Sequence, residues 1–164
     1  MSPADTSAPA ARSFTFSVES RLRADASDVW AHASTFEGVN RELAPLARMT
    51  APASIRTLDA ESVVLGRKIL RSWIFAFGVI PIDYDDLVLV ELESGRRFLE
   101  RSSMLTQRVW EHERIVEPAP IGCTLRDRIR FEPRIPILGH IEKPIYELVF
   151  ANRHRQLRKI FGRV

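Results

Sequence analysis

The chain has 164 residues, 45% of them hydrophobic and 27% charged, with a net charge of +3 at neutral pH. That length fits one domain with a real core, and so mild a charge gives no argument for nucleic acid as a partner. Cys123 is the single cysteine, which excludes an intrachain disulfide and a thiolate metal cluster and fits a reducing compartment.

Residues 1–12 are rich in Pro, Ala and Ser and lack the basic start and apolar run of a signal peptide, so a disordered tail is expected there. The longest apolar stretch, Trp73 to Ile82, is too short to span a bilayer, and a cytoplasmic protein is expected. Phe14, Phe16 and Val18 alternate with polar neighbours, the pattern of a half-buried first strand. A helix opens at Asp25 as N-cap, with Asp28 near its positive end. Gly38 breaks or bends that helix, and "VNRELAPLARM" reads as a second short helix or turn before Pro52. "SIRTLD" and "RKILRSWIFAFGV" read as strands, the second apolar on both faces until the chain turns near Pro81. "YDDLVLVELE", "RRFLERSSML", "QRVWEHERIVEP" and "CTLRDRIRFEP" follow with short connections, which implies an antiparallel meander. From Ile137 to Phe161 the period becomes helical; Pro144 lies near the first turn or kinks the helix, and Gly162 stops it. The expected class is α+β. A twisted antiparallel sheet wraps a long C-terminal helix, two short helices follow the first strand, and a cavity is easily left between sheet and helix.

One row in this pattern is anomalous. In "CTLRDRIRFEP" strand alternation turns Thr124, Arg126, Arg128, Arg130 and Glu132 toward water, and Cys123, Leu125, Asp127, Ile129 and Phe131 toward a core. An unpaired buried carboxylate is costly, so Asp127 needs a partner, an opening to solvent or a ligand. Folding "VWEHERIV" back about a loop at Pro118 to Ile121 sets His112 opposite Asp127 and Trp110 opposite Ile129. The carboxylate would then fix one tautomer of the ring and raise the His112 pKa. Three roles stay open for the pair: a structural contact inside the sheet, orientation of a ligand's polar group, or proton transfer with His112 as general acid–base.

Arg71 shares a strand face with Ile69, Trp73 and Phe75. Turned inward it would pair with Asp127 or hold an anionic head group; turned outward it would snorkel at the surface. Trp73, Phe75, Phe77, Tyr84 and Trp110 suit either a pocket wall or an ordinary core. On the last helix Tyr146, Phe150, His154, Leu157 and Phe161 form one stripe, with His154 a satisfied core histidine or a polar contact in a cavity. Arg153, Arg155, Arg158 and Lys159 lie on the other side, suit the helix dipole, and offer weak contact with anionic lipid or an acidic partner. The four histidines lack metal-ligand spacing, no Gly-rich phosphate loop appears, and Ser102 and Ser103 lack a nucleophile-elbow context. No metal or cofactor is expected.

"VWEHERIVEPAPIGCTLRDRIRFEPRIPILG" followed by "FANRHRQLRKIFG", with "DVWAHASTFEGVNRELAPL" as a first helix pair, resembles the START-like (SRPBCC) ligand-binding superfamily. In its bacterial members a Trp-x-His strand leads through a Gly-Thr-type turn to an Asp-bearing strand ending in Pro. Cys123, between Gly122 and Thr124, departs from that turn. The resemblance implies that residues 13–164 form one helix-grip domain. It also implies non-covalent binding, for carriage or sensing, of a small hydrophobic molecule such as a lipid, polyketide or aromatic compound. On this reading the ligand-binding residues are Arg71, Trp73, Phe75, Tyr84, Trp110, His112, Asp127, Phe150 and His154, and the lids are Phe36 to Pro45 and Phe77 to Asp83. The alternative is a polyketide cyclase/aromatase-type enzyme in which His112, Asp127 or Tyr84 moves protons. A third reading is a module acting at membranes through the basic end of the last helix.

Overall fold

The computed structural model describes residues 12–58, 61 and 63–164. The proposed tail, up to residue 11, lies outside the described residues. The chain runs β1 (Phe14–Leu22), α1 (Ala26–Ala33), α2 (Phe36–Leu43), β2 (Ala47–Met49), β3 (Lys68–Ala76), β4 (Ile80–Glu93), β5 (Arg97–Met104), β6 (Gln107–Pro118), β7 (Cys123–Pro133), a 3₁₀ turn (Pro136–Leu138) and α3 (Gly139–Phe161). The seven strands form one curled sheet in the order β1-β7-β6-β5-β4-β3-β2, every pairing antiparallel. This is the α+β helix-grip architecture that the hydrophobic periods imply. Strands of period two bury one face, and that face needs a helix to cover it.

Apolar side chains fill the space between sheet and helices in separate clusters. Leu22, Val29, Val116, Cys123, Leu125 and Leu157 pack where α1 meets the end of α3. Met104, Trp110, Ile129, Phe131 and Phe150 pack under the middle of α3, and Phe36, Leu70 and Leu87 pack beneath α2. Among the described residues no helix is long and apolar enough to cross a membrane.

The local reading needs four corrections. The break between the first helices falls at Ser34 and Thr35 rather than Gly38, because the Thr35 hydroxyl accepts from Gly38 N at 3.0 Å and caps α2 there. Asp25 does occupy the N-cap of α1, but its side chain makes no capping bond. Ala47 to Met49 is an edge strand on β3 and not helix, since Ala44 and Pro45 turn the chain out of α2. The described part of "SIRTLD" is no regular strand and holds a single bridge, Thr35 to Thr57.

The β6–β7 hairpin is also shifted. Pro118 stays in the ladder opposite Cys123, so the loop is residues 119–122, closed by Ala119 N on Gly122 O at 3.0 Å. Gly122 has φ +66°, and a Cβ there would lie 1.9 Å from Leu22 O, so no other residue fits this turn beside β1. His112 therefore stands opposite Ile129, Trp110 opposite Phe131, and Arg114 opposite Asp127. A displacement of two residues keeps every side chain on its expected face.

Candidate functional site

Asp127 is fully buried and sits among four bonds. Arg114, directly across the ladder, donates Nε to Oδ1 and Nη2 to Oδ2, both at 2.8 Å. His112 reaches Oδ1 diagonally at 2.9 Å, and His154 from α3 meets Oδ2 at 3.0 Å. Burial pushes this carboxyl up, but the Arg114 charge and hydrogen bonds, and then His112, hold it well below the usual carboxylate range.

Arg114 continues into a second buried acid. Its Nη1 and Nη2 donate to Glu42 of α2 at 3.0 and 2.9 Å, and Arg153 of α3 donates Nε and Nη2 to the same carboxylate at 3.0 and 2.8 Å. Glu42 likewise titrates well below its ordinary value: burial opposes this, and the two arginines overcome it, with His32 Nε2 3.5 Å from Oε1. Two carboxylates and two guanidinium groups thus cancel in the interior, each fork meeting a carboxylate in the geometry that favours arginine. Asn152 pins the acid in place by donating Nδ2 to the carbonyls of Glu42, Leu43 and Ala44 at 3.2, 3.4 and 3.0 Å, satisfying the open end of α2. A relay from Arg158 through Ser20 Oγ (2.7 Å) to His154 Nδ1 (2.8 Å) completes the network.

Beside this network lies a cavity of about 70 Å³. Trp30 and Ala33 of α1, Phe36 and Val39 of α2, Met49, Leu58, and Leu87, Leu89, Leu92 and Phe98 of the sheet give it apolar walls. Glu100, His112 and Arg153 form its polar end. The cavity is roofed chiefly by α1 and α2, where the sequence suggested α3; α3 contributes Arg153.

The polar end has an unusual protonation pattern. His112 is pushed down by burial, which outweighs the pull of Asp127 and is reinforced by Arg153 and Arg114, so its ring is neutral. That reverses the raised value expected from its pairing. With Nε2–H donated to Asp127, Nδ1 is a bare acceptor facing Glu100 Oε2 at 3.7 Å. Glu100 is raised well above the ordinary range by burial and then by the neighbouring Asp85. Asp85, itself buried, is pushed up to about 6, and its Oδ1 has no hydrogen-bond partner among the described residues. Chemically, this end offers a carboxylic acid, a bare imidazole nitrogen and a guanidinium group to whatever fills the apolar chamber.

Of the residues singled out in the sequence, His112 borders the cavity. Asp127 and His154 lie behind it in the ion network, and Trp110 and Phe150 belong to the cluster under α3. Arg71, Trp73 and Tyr84 point outward instead: Arg71 grips Asp86 at 2.7 and 2.9 Å and lies 4.0 Å over the Tyr84 ring, which meets Trp73 edge-on. The inward row of β3 is Leu70 and Ser72, which leaves Arg71 and Trp73 on the other face and sets Phe75 beyond a bulge, away from the cavity. The proposed basic face of α3 is broken up too, since Arg153 is buried on Glu42 and Arg158 is tied to Ser20. Phe77, 67% exposed in the β3–β4 turn, is not among the residues that line the cavity. Among the described residues no group of three or more His, Cys, Asp or Glu could hold a metal ion.

The missed residues are Glu100, Arg114 and Arg153, with the apolar walls from α1, α2 and β4. Period-two alternation places Glu100 in one row with Phe98, Ser102 and Met104, and Arg114 in one row with Trp110, His112 and Val116.

The same architecture occurs in solved proteins. A protein from Chromobacterium violaceum, CV1439, superposes with a TM-score of 0.66 at 15% identity, over 92% of this chain and 99% of that one. A START superfamily protein from Mycobacterium smegmatis gives 0.61 at 11% identity, over 91% and 96%. DynU16, from the dynemicin biosynthetic locus, gives 0.57 at 15% identity; 92% of this chain aligns with about half (49%) of DynU16. These likenesses establish a START-like fold. No curated protein matches the sequence. Residues 20–161 match the family described as a domain of unknown function, DUF8410. With most of its length covered by that family model, the chain belongs to the DUF8410 family, built on a START-like fold.

Proposed function

We propose that residues 13–164 act as one unit that binds a small hydrophobic molecule non-covalently, with the cavity under α1 and α2 as its seat. One observation carries the reading: a void with apolar walls ends in three polar groups, Glu100, His112 and Arg153. Interiors are close-packed, and an unfilled apolar void weakens a fold, so a hollow of this composition suits an occupant. Affinity would come from apolar burial at about 25 cal/mol per Å², with the polar end setting orientation. Two neighbours support the reading, the START superfamily protein and DynU16 of the dynemicin locus.

The void of about 70 Å³ holds a few waters or a short chain, whereas drug-sized ligands occupy roughly 300–1,000 Å³. A larger ligand therefore requires the wall to move. The movable part is the segment from 50 to 58, which carries Leu58 and lacks helix or strand apart from the Thr35–Thr57 bridge. Leu58 N on Ser34 O at 2.9 Å and Phe36 N on Arg56 O at 3.4 Å fasten it to the α1–α2 corner.

Native mass spectrometry of the protein purified from its own host tests this, run beside Ala33→Phe, which fills the cavity. A small-molecule adduct present in the natural protein and lost in the variant is expected. Equal spectra for the two would remove the reading.

A second reading, proton transfer on a bound molecule, is favoured by the bare His112 Nδ1 next to the protonated Glu100 at the cavity end. It requires turnover that His112→Ala abolishes while binding persists.

A further inference from the structure

Among the described residues five acids are buried, Glu42, Asp83, Asp85, Glu100 and Asp127, against two buried guanidinium groups, Arg114 and Arg153. Glu42 and Asp127 are matched by Arg114 and Arg153. Asp85 and Glu100, 3% and 6% exposed, are not. Their other neighbours are already committed. Asp83 accepts from Tyr84 N at 2.7 Å, Leu105 N at 2.9 Å and the Thr106 hydroxyl, and Asp86 is bound by Arg71 and Lys68. Ser102 Oγ donates to Glu100 at 2.8 Å, Glu100 and Asp85 hydrogen-bond to each other, and Oδ1 of Asp85 has no partner among the described residues, so no cation is bonded to either acid there. Arg153, whose charge reaches Glu100, directs its Nε and Nη2 at Glu42. Glu100 lines the apolar cavity next to Phe98, and Phe98 in turn packs against Trp30 with ring centroids 6.3 Å apart.

We propose that the molecule taken up in this cavity carries a protonated amine, bound by Glu100 with Asp85 adding charge behind it and with Trp30 and Phe98 as its aromatic walls. This rests on the cavity being the ligand seat described above. A carboxylate ligand would bring a further negative group to a pair with no bonded cation, and a neutral one would leave Glu100 compensated by its own proton alone. An ammonium supplies both the missing charge and several N–H donors, and aromatic faces favour it further. Without ligand, burial and mutual repulsion keep a proton on Glu100. When the ammonium enters, that O–H proton leaves to the buffer and an ammonium–carboxylate pair remains; no other bond changes.

Calorimetry with hexylamine, 1-hexanol and hexanoate, in two buffers of different ionisation enthalpy near pH 6, tests the proposal on the full chain. Hexylamine is expected to bind at least about tenfold tighter than 1-hexanol, with about one proton released per amine and hexanoate weakest. Glu100→Gln should lower amine affinity by about tenfold and abolish proton release, with a smaller change for 1-hexanol than for the amine. If that variant fails to fold, Asp85→Asn should weaken the amine in the same direction, and an unchanged amine affinity there overturns the proposal. Equal or tighter binding of 1-hexanol without proton release overturns the amine proposal and leaves the cavity's function standing. Failure of all three probes to bind overturns both.

Discussion

Arg114 faces Asp127 across the β6–β7 ladder and donates to both of its oxygens at 2.8 Å. The same guanidinium holds Glu42, so a single side chain compensates two buried acids on different elements. Arg114→Met should therefore cost about 3–5 kcal/mol in urea unfolding, because it leaves both carboxylates without their shared cation. Arg114→Lys should recover little, since an ammonium cannot serve two forks. A loss under about 1 kcal/mol would show that the network is not what holds this region together.

Stability should respond to pH with two opposite signs. Asp127 and Glu42 titrate low in the fold, so their contribution is complete above the ordinary carboxylate range near 4 and disappears as acid protonates them. Asp85 and Glu100 titrate high, so their contribution is complete below about 4 and is lost as pH rises, through about 6 for Asp85. A rise from near 4 to about 6 is worth on the order of 3 kcal/mol. Asp85→Asn should accordingly gain melting temperature relative to the natural protein at pH 7.5 but not at pH 4. An identical difference at the two pH values would contradict the assignment.

Asn152→Leu removes the donor that covers three carbonyls at the end of α2. Leu43 O keeps Leu46 N at 3.0 Å and Ala44 O keeps Gln156 Nε2 at 3.0 Å, so the loss falls chiefly on Glu42 O, about 1–3 kcal/mol if it stays dry, and α2 should open locally to reach water. Hydrogen exchange should accelerate in α2, with the amides of β6 and β7 unchanged. Uniform acceleration across the sheet would mean that the clamp acts on global stability instead.

Arg71→Ala should alter neither melting temperature nor ligand affinity measurably. Its partner Asp86 is a surface neighbour, and Arg71 itself lies in water on the outer face. A clear drop in ligand affinity would place Arg71 in the site after all.

The meander from β4 to β7 and the long helix follow from period-two and helical spacing, which local sequence carries, whereas the β1–β7 pairing joins segments about a hundred residues apart and the edge strand β2 reads locally as helix or turn. The inward rows of β6 and β7 were legible too: once His112 faces the core, Arg114 two residues later must face it as well. The hairpin register was not, because it turned on whether Pro118 ends the strand or pairs within it, a choice decided by the Gly122 turn packing on Leu22. Arg153 falls three residues after Phe150 and four before Leu157, so helical spacing brings it to the buried flank of the stripe. Glu42 is different. It lies 72 residues from Arg114, and no local period links α2 to β6. The cavity depends on the same long-range placement of α1 and α2, which is why Asp127 pointed to the right neighbourhood while, of the residues expected to bind ligand, His112 alone borders the hollow.

The four charged groups that cancel in the interior come from α2, β6, β7 and α3. They lie against one end of the chamber, whereas Val39, Leu87 and Leu92 at its sides take no part in them. Frame and mould thus meet at Arg153 and His112 and are otherwise made of separate residues. Relatives could re-cut the chamber to new shapes by trading aliphatic side chains, with the ionic keystone left untouched.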